Sequence, residues 1–299
     1  GYSIYVCWEH KTQRDLDVLT SFPWYSGIQL FGIAAAVIII IAVILKLLIR
    51  KKIGEVKAIE DITFQVRKGE TLGIVGESGC GKTTLARCLM RVYRPDEGEV
   101  IFEGTDIARM KDSELISFRP KMQMIFQDPF SSLNPRMTVS EAVTDPLKLT
   151  NRYAKGEMEE RVNSLMETVG LTERLRNSYP HELDGGRRQR VGIARSLALE
   201  PKFIVCDEPV SALDVSIQAQ ILNLLQDLQE SKQLTYLFIT HDLSVVRYIS
   251  NDICVMYMGQ MVEMSPSKEL FQNPVHPYTK ALLSAILVPD IHVKRERVL

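Results

Sequence analysis

Thr71-Leu72-Gly73-Ile74-Val75 followed by Gly76-Glu77-Ser78-Gly79-Cys80-Gly81-Lys82-Thr83-Thr84 is the stretch on which the reading of this chain turns. Five residues of β type run into a loop with glycine at 76, 79 and 81, and a helical pattern follows from Lys82 to Val92. This is the spacing of a phosphate-binding P-loop in its required strand–loop–helix context. Glycine lets successive backbone N–H groups turn inward around phosphate oxygens, and the helix behind adds the positive end of its dipole. Lys82 is placed to reach the β- and γ-phosphates of a nucleotide, and the Thr83 hydroxyl to coordinate Mg²⁺. A glycine-rich turn can match this pattern by chance, and the residues further along the chain decide between the two.

Three more apolar runs end in polar groups. Met122–Phe126 is followed by Gln127, Phe203–Cys206 by Asp207 and Glu208, and Tyr236–Ile239 by Thr240-His241-Asp242. The carboxyl ends of parallel strands are where an α/β sheet gathers its catalytic groups. Asp207 suits the magnesium shell, and Glu208 suits the base that orients and deprotonates an attacking water. Short strands alternate with helix-like segments such as Ile217–Glu230, which predicts a parallel sheet covered by helices. Lys155–Leu175 is polar with apolar residues at helical spacing, part of a mainly helical insertion over about 130–185, and Cys254–Met264 reads as a hairpin turning at Gly259.

The amino-terminal part has a different texture. Ile28 to Ile49 is almost wholly apolar, with aromatic residues just ahead of it and Lys46, Arg50, Lys51 and Lys52 at its other end. At 1.5 Å per residue such a helix measures about 33 Å, enough for a hydrocarbon core of about 30 Å. The expectation is one transmembrane helix at 28–49, with residues 1–27 outside and the remainder cytoplasmic, a single-pass protein of the cell membrane. A buried core helix would carry a polar face, and a signal sequence would carry its basic residues first. The chain begins at Gly1 and not Met, which reads as a fragment or a processed chain.

Among the 299 residues there are 36 basic and 37 acidic side chains, so no global field points to nucleic acid as a partner. Five widely spaced cysteines without a CxxC pair (Cys7, Cys80, Cys88, Cys206, Cys254) fit free thiols in a reducing compartment better than a disulfide scaffold or a zinc site.

From Lys57 to Leu299 the sequence resembles the ATPases of ABC transporters. The P-loop, Gln127 (Q-loop), Tyr179–Arg190 around the signature Leu183-Asp184-Gly185-Gly186-Arg187, Phe203–Glu208 (Walker B), Ser211–Asp214 (D-loop) and His241 (switch histidine) stand in the family's order. Met124–Pro135 and Asn273–Leu283 look like the oligopeptide/dipeptide importer branch. The resemblance implies a RecA-like P-loop NTPase core over 53–264 and an importer-type extension, truncated, over 265–299. It implies ATP and Mg²⁺ as ligands, with Gly76 to Thr84 on the nucleotide and Thr83, Gln127 and Asp207 on the metal. Glu208, His241 and Gln127 would be the catalytic set. Such ATPases close head to tail, each signature acting on its partner's ATP. The partners implied are a second and different ATPase subunit, two permease subunits and an extracytoplasmic substrate-binding protein. Motors for nickel and soluble ABC ATPases of DNA repair or translation are the alternatives.

Three departures stand out. Asp184 replaces the usual signature serine, and an ionised carboxylate donates no hydrogen bond. Two like charges 4 Å apart at an effective dielectric of 20 repel by about 4 kcal/mol, although Asp184 can also cap the signature helix. That combination, an intact Walker B beside an altered signature, predicts an unequal pair of ATP sites. No aromatic residue between Gly32 and Phe64 is present to stack on adenine. The apolar segment is foreign to the peripheral ATPases of this branch.

Overall fold

The computed structural model describes residues 38–39, 57–150 and 153–285. It divides into a unit over 1–56, in which only Ile38 and Ile39 are described, and a unit from residue 57 onward. In chain order the second unit contains β1 (Thr71–Val75), α1 (Lys82–Leu89), β2 (Ile101–Phe102), β3 (Thr105–Asp106), α2 (Asp112–Leu115), β4 (Met122–Ile125), α3 (Pro129–Ser132), α4 (Val139–Thr150), α5 (Lys155–Thr168) and α6 (Gly185–Leu197). It continues with β5 (Phe203–Asp207), α7 (Val215–Lys232), β6 (Thr235–Thr240), α8 (Leu243–Ile249), β7 (Asp252–Tyr257), β8 (Gln260–Pro266), α9 (Ser267–Gln272) and α10 (Pro277–Ser284).

Six strands form one sheet in the order β4-β5-β6-β1-β7-β8, parallel except where β8 turns back on β7. Non-sequential neighbours such as β6 and β1 are reached by helical crossovers, as parallel pairing requires. The strands read as continuous apolar runs because both faces of the sheet are covered. Ile204, Cys206, Tyr236 and Phe238 pack with Val191, Ile193, Leu197, Ile221 and Leu225 of α6 and α7. The alternate residues Val205, Leu237 and Ile239 pack instead with Leu72, Ile74 and the α1 residues Leu85 and Ala86. The period of two that assigns faces is thus present in the packing although hidden in the composition.

The parallel register brings Val75 opposite Thr240, Ile239 opposite Asp207, and Cys206 opposite Ile125. The carboxyl ends of β4, β5, β6 and β1 therefore lie along one edge. The hairpin expected at Gly259 is β7–β8, whose turn places Met258 at φ +46° and Gly259 at φ +83°.

Among the described residues no helix is long and apolar enough to cross a membrane. On this finding the expectation of a single-pass membrane protein is corrected. The longest described helix, α7, carries Gln226, Asp227, Gln229, Glu230 and Lys232 in its last two turns, where a span would need an unbroken apolar surface. The segment 28–49 and the stretch ahead of Lys57 that lacks an aromatic residue lie outside the described residues, Ile38 and Ile39 excepted.

Candidate active site

The loop Gly76–Gly81 leaves β1 and enters α1 without a side-chain cap, since the N-cap is Gly81 in the left-handed region at φ +105°. A Cβ on Gly81 would stand 2.5 Å from the Ala58 carbonyl oxygen, and one on Gly76 would collide with that of Met256. Both positions need glycine because other backbone passes directly behind the loop. Glu77, Ser78 and Gly79 are exposed, Cys80 and Lys82 are buried, and Thr83 and Thr84 are half-buried. Lys82 Nζ donates to the carbonyls of Gly76 (2.7 Å) and Glu77 (2.8 Å) and lies 3.9 Å from Cys80 Sγ. A buried ammonium satisfied by carbonyl dipoles and a sulfur, with no ion-pair partner among the described residues, is a strong attractor for an anion.

Next to the loop, Thr83 Oγ1 donates to Asp207 Oδ1 at 3.2 Å. Asp207 is 4% exposed, and burial pushes its carboxyl above the ordinary range against the Thr83 hydrogen bond, with the neighbouring Glu208 adding to the rise. A buried carboxylate of this kind, beside a hydroxyl oxygen, fits a hard divalent cation that supplies the missing positive charge. Among the described residues no cluster of three or more His, Cys, Asp or Glu could hold a metal unaided. Phosphate oxygens and water would complete such a shell, as Mg²⁺ prefers.

Glu208 sits at φ +47°, an unusual backbone for a residue with a side chain. Its N–H donates to Ile239 O at 2.9 Å. Its Oε2 accepts from Gln127 Nε2 at 3.0 Å and lies 3.2 Å from His241 Nδ1. Three strand ends thus meet at one carboxylate oxygen. Ser211 closes the turn behind it, its hydroxyl donating to Glu208 O at 3.1 Å, while Asp214 is exposed and is the N-cap residue of α7 without a side-chain bond. Asp242 caps α8 by accepting from Ser244 N, which assigns it to structure.

The signature residues lie elsewhere. Leu183 is buried, and Asp184 caps α6, its Oδ1 accepting from Arg187 N at 2.8 Å and its Oδ2 lying 3.3 Å from Arg187 Nε. Gly185 and Gly186 back onto Leu213 and Ile217, beside the D-loop. The sequence offered no sign of one further contact: Glu77 N donates to Tyr278 Oη, 201 residues away. No local pattern reveals a partner so distant in the chain.

A caged ammonium, a carboxylate beside a hydroxyl and a second carboxylate steered by an amide and an imidazole are the equipment of a P-loop nucleotide hydrolase. The ABC transporter family model matches residues 59–211, and the model for the oligopeptide/dipeptide transporter C-terminal region matches 262–298. The chain is 56% identical over 248 residues to the oligopeptide transport ATP-binding protein OppF of Bacillus subtilis, covering 82% of this chain and 81% of that protein. It is 53% identical over 254 residues to AppF of the same organism, another oligopeptide transport ATP-binding protein, covering 84% and 77%. Among solved structures it is similar to cbiO1 of Clostridium perfringens, part of the cbiONQ complex (TM-score 0.67, 28% identity, 72% of this chain and 84% of that one). It is also similar to the ATP-binding cassette MJ0796 in a dimeric post-hydrolysis state with ADP and Pi (TM-score 0.65, 32% identity, 70% and 90%). The chain belongs to the ABC transporter family, as one of its ATP-binding, ATP-hydrolysing proteins.

Proposed function

We propose that this chain is the ATPase subunit of an importer for oligopeptides or dipeptides, acting at the membrane through two permease subunits fed by an extracytoplasmic binding protein. The observation that carries the hydrolytic part is the convergence of Gln127 and His241 on Glu208 Oε2, beside a P-loop whose Lys82 is already oriented inward. The peptide class rests on similarity to OppF and AppF and on the match over 262–298. Residues 53–264 form the ATPase domain in this reading, with a helical subdomain over about 130–185, and 265–299 belong to the importer-type extension.

Gly76 to Thr84 cradle the phosphates, Lys82 exchanging its carbonyl partners for β- and γ-phosphate oxygens. Thr83, Asp207 and Gln127 would hold Mg²⁺, which neutralises charge on those oxygens when bound. Glu208 takes a proton from a water that attacks the γ-phosphorus while the bond to the β-bridging oxygen breaks, leaving ADP and phosphate. His241 keeps the Glu208 carboxylate aimed at that water. Leu183, Asp184, Gly185, Gly186 and Arg187 serve the ATP held by a second, different ATPase subunit, with Ser211 and Asp214 at the same junction. Because Asp184 stands in place of serine, the site it faces is the weaker of the two.

Vesicles carrying the assembled transporter test this reading directly. ATP-dependent accumulation of labelled di- to pentapeptides is expected, without accumulation of nickel. Uptake of nickel and not peptide would overturn the substrate class.

A further inference from the structure

The segment Asn273–Leu283 takes no part in the hydrolytic set, yet it meets the phosphate loop. Tyr278 stands at the start of α10, and its hydroxyl accepts from the Glu77 N–H at 3.1 Å. Its ring lies on that of Tyr257, the last residue of β7, with centroids 4.4 Å apart. The residue before Tyr257 supplies the carbonyl that backs Gly76. The segment is itself fastened to β8. Glu263 accepts from Val275 N (2.8 Å) and His276 N (2.9 Å), and His276 Nδ1 accepts from Tyr278 N at 3.2 Å.

The peptide at Glu77 is therefore held from two directions. Lys82 Nζ draws on its carbonyl and on that of Gly76, and Tyr278 Oη holds its N–H. Binding of a triphosphate redirects Lys82 and releases both carbonyls. The bond to Tyr278 is not among those exchanged, and it keeps a backbone donor satisfied while the loop changes partners. A phenol is neutral at ordinary pH and burial raises that of Tyr278 further, so the hydroxyl accepts without charge.

We propose that Tyr278 is a positioning residue for ATP: through Glu77 N–H it sets the curvature of the phosphate loop from the carboxy-terminal segment. The inference rests on the ATPase reading above, and it gives that segment a role in nucleotide affinity. The bond is exposed, so without it the free loop relaxes into water at little cost, whereas the nucleotide-bound loop must keep its curvature unaided. The loss of one ordinary neutral hydrogen bond therefore falls on affinity, about three- to tenfold.

The test is titration of the purified full-length chain with MgATP. Tyr278→Phe keeps the ring on Tyr257 and removes the hydroxyl, and it is expected to raise the Kd about three- to tenfold with little change in melting temperature. Glu77→Pro removes the donor, so in that background Tyr278→Phe is expected to change the Kd less than about twofold, the signature of a shared interaction. An unchanged Kd in Tyr278→Phe overturns the proposal, as does an equal penalty in both backgrounds, which would mean that the residue acts by packing. If Glu77→Pro fails to fold or no longer binds ATP, the single variant decides alone. Lys82→Ala separates the two levels. A parent chain that binds no ATP, or a Lys82→Ala chain that binds it as well as the parent, overturns the ATPase reading and this proposal together. Loss of binding in Lys82→Ala with a normal Tyr278→Phe overturns this proposal only.

Discussion

The phosphate loop and the signature turn are both short glycine-containing turns that open a helix, and they end in opposite ways. The helix after the phosphate loop has Gly81 at its N-cap, no side-chain cap and no acidic residue in its first turn. The helix after the signature has Asp184 at its N-cap, bonded to Arg187 N at 2.8 Å. A helix N-terminus attracts anions, and the two turns differ in whether that anion comes from elsewhere or from the chain itself. At the phosphate loop no side chain caps the helix, so its first N–H groups are left for a phosphate, while the Glu77 N–H further back in the loop is held by Tyr278. At the signature an internal carboxylate already occupies one of them, with Arg187 as a surface counter-ion. Both partners are more than half exposed, so that ion pair contributes only about 0–1 kcal/mol and leaves much of the Asp184 charge unneutralised. On the function proposed above, the chain is well equipped to hydrolyse its own ATP and poorly equipped to serve its neighbour's.

The largest way to break this contrast is at Glu208. Glu208→Gln keeps the amide and imidazole contacts but cannot take a proton, and hydrolysis by the assembled transporter should fall about 10²- to 10⁴-fold while ATP still binds. A rate within threefold of the parent would move the base elsewhere. Asp184→Ser restores a neutral donor to the signature. Serine caps a helix about as well as aspartate, so stability should hold while the ATPase rate rises, by up to about tenfold. An unchanged rate would mean that the two sites are not unequal on account of Asp184. The smallest effect concerns the phosphate-loop side alone. The Asp207 carboxyl has a pKa raised by burial, so the folded state binds its proton more tightly than the unfolded chain does. It costs stability that grows as pH rises from the ordinary carboxylate range through the raised value. Without nucleotide, Asp207→Asn should therefore melt higher than the parent at neutral pH, the gap closing as pH falls towards 4. Thermal unfolding across that range checks the sign.

Much of this was legible in the chain. Gly76 to Thr83, and the polar residues after Phe126, Cys206 and Ile239, announced a parallel sheet with its chemistry at one edge, because strand ends are dictated by short-range pattern. Which face each strand residue buries was not legible: Val205 and Cys206 are equally apolar and pack in opposite directions. The left-handed backbone at Glu208 left no trace, since glutamate has no preference for it. Asp184 was readable both as a misplaced charge and as a cap, and it is the geometry of Arg187 N that selects the cap. The apolar run at 28–49 supplied length and hydropathy, which describe a sequence that can span, and the described helices contain no span. Tyr278 was out of reach because a contact across two hundred residues depends on the whole sheet being assembled first.

The backbone at Glu208 has a consequence for how such chains change over time. A side chain in the left-handed region costs about 1–2 kcal/mol, a cost that glycine would not carry. If Glu208 is the base, as proposed, replacing it with glycine would remove catalysis and ease the backbone in one step. Stability and the proposed chemistry therefore pull this position in opposite directions.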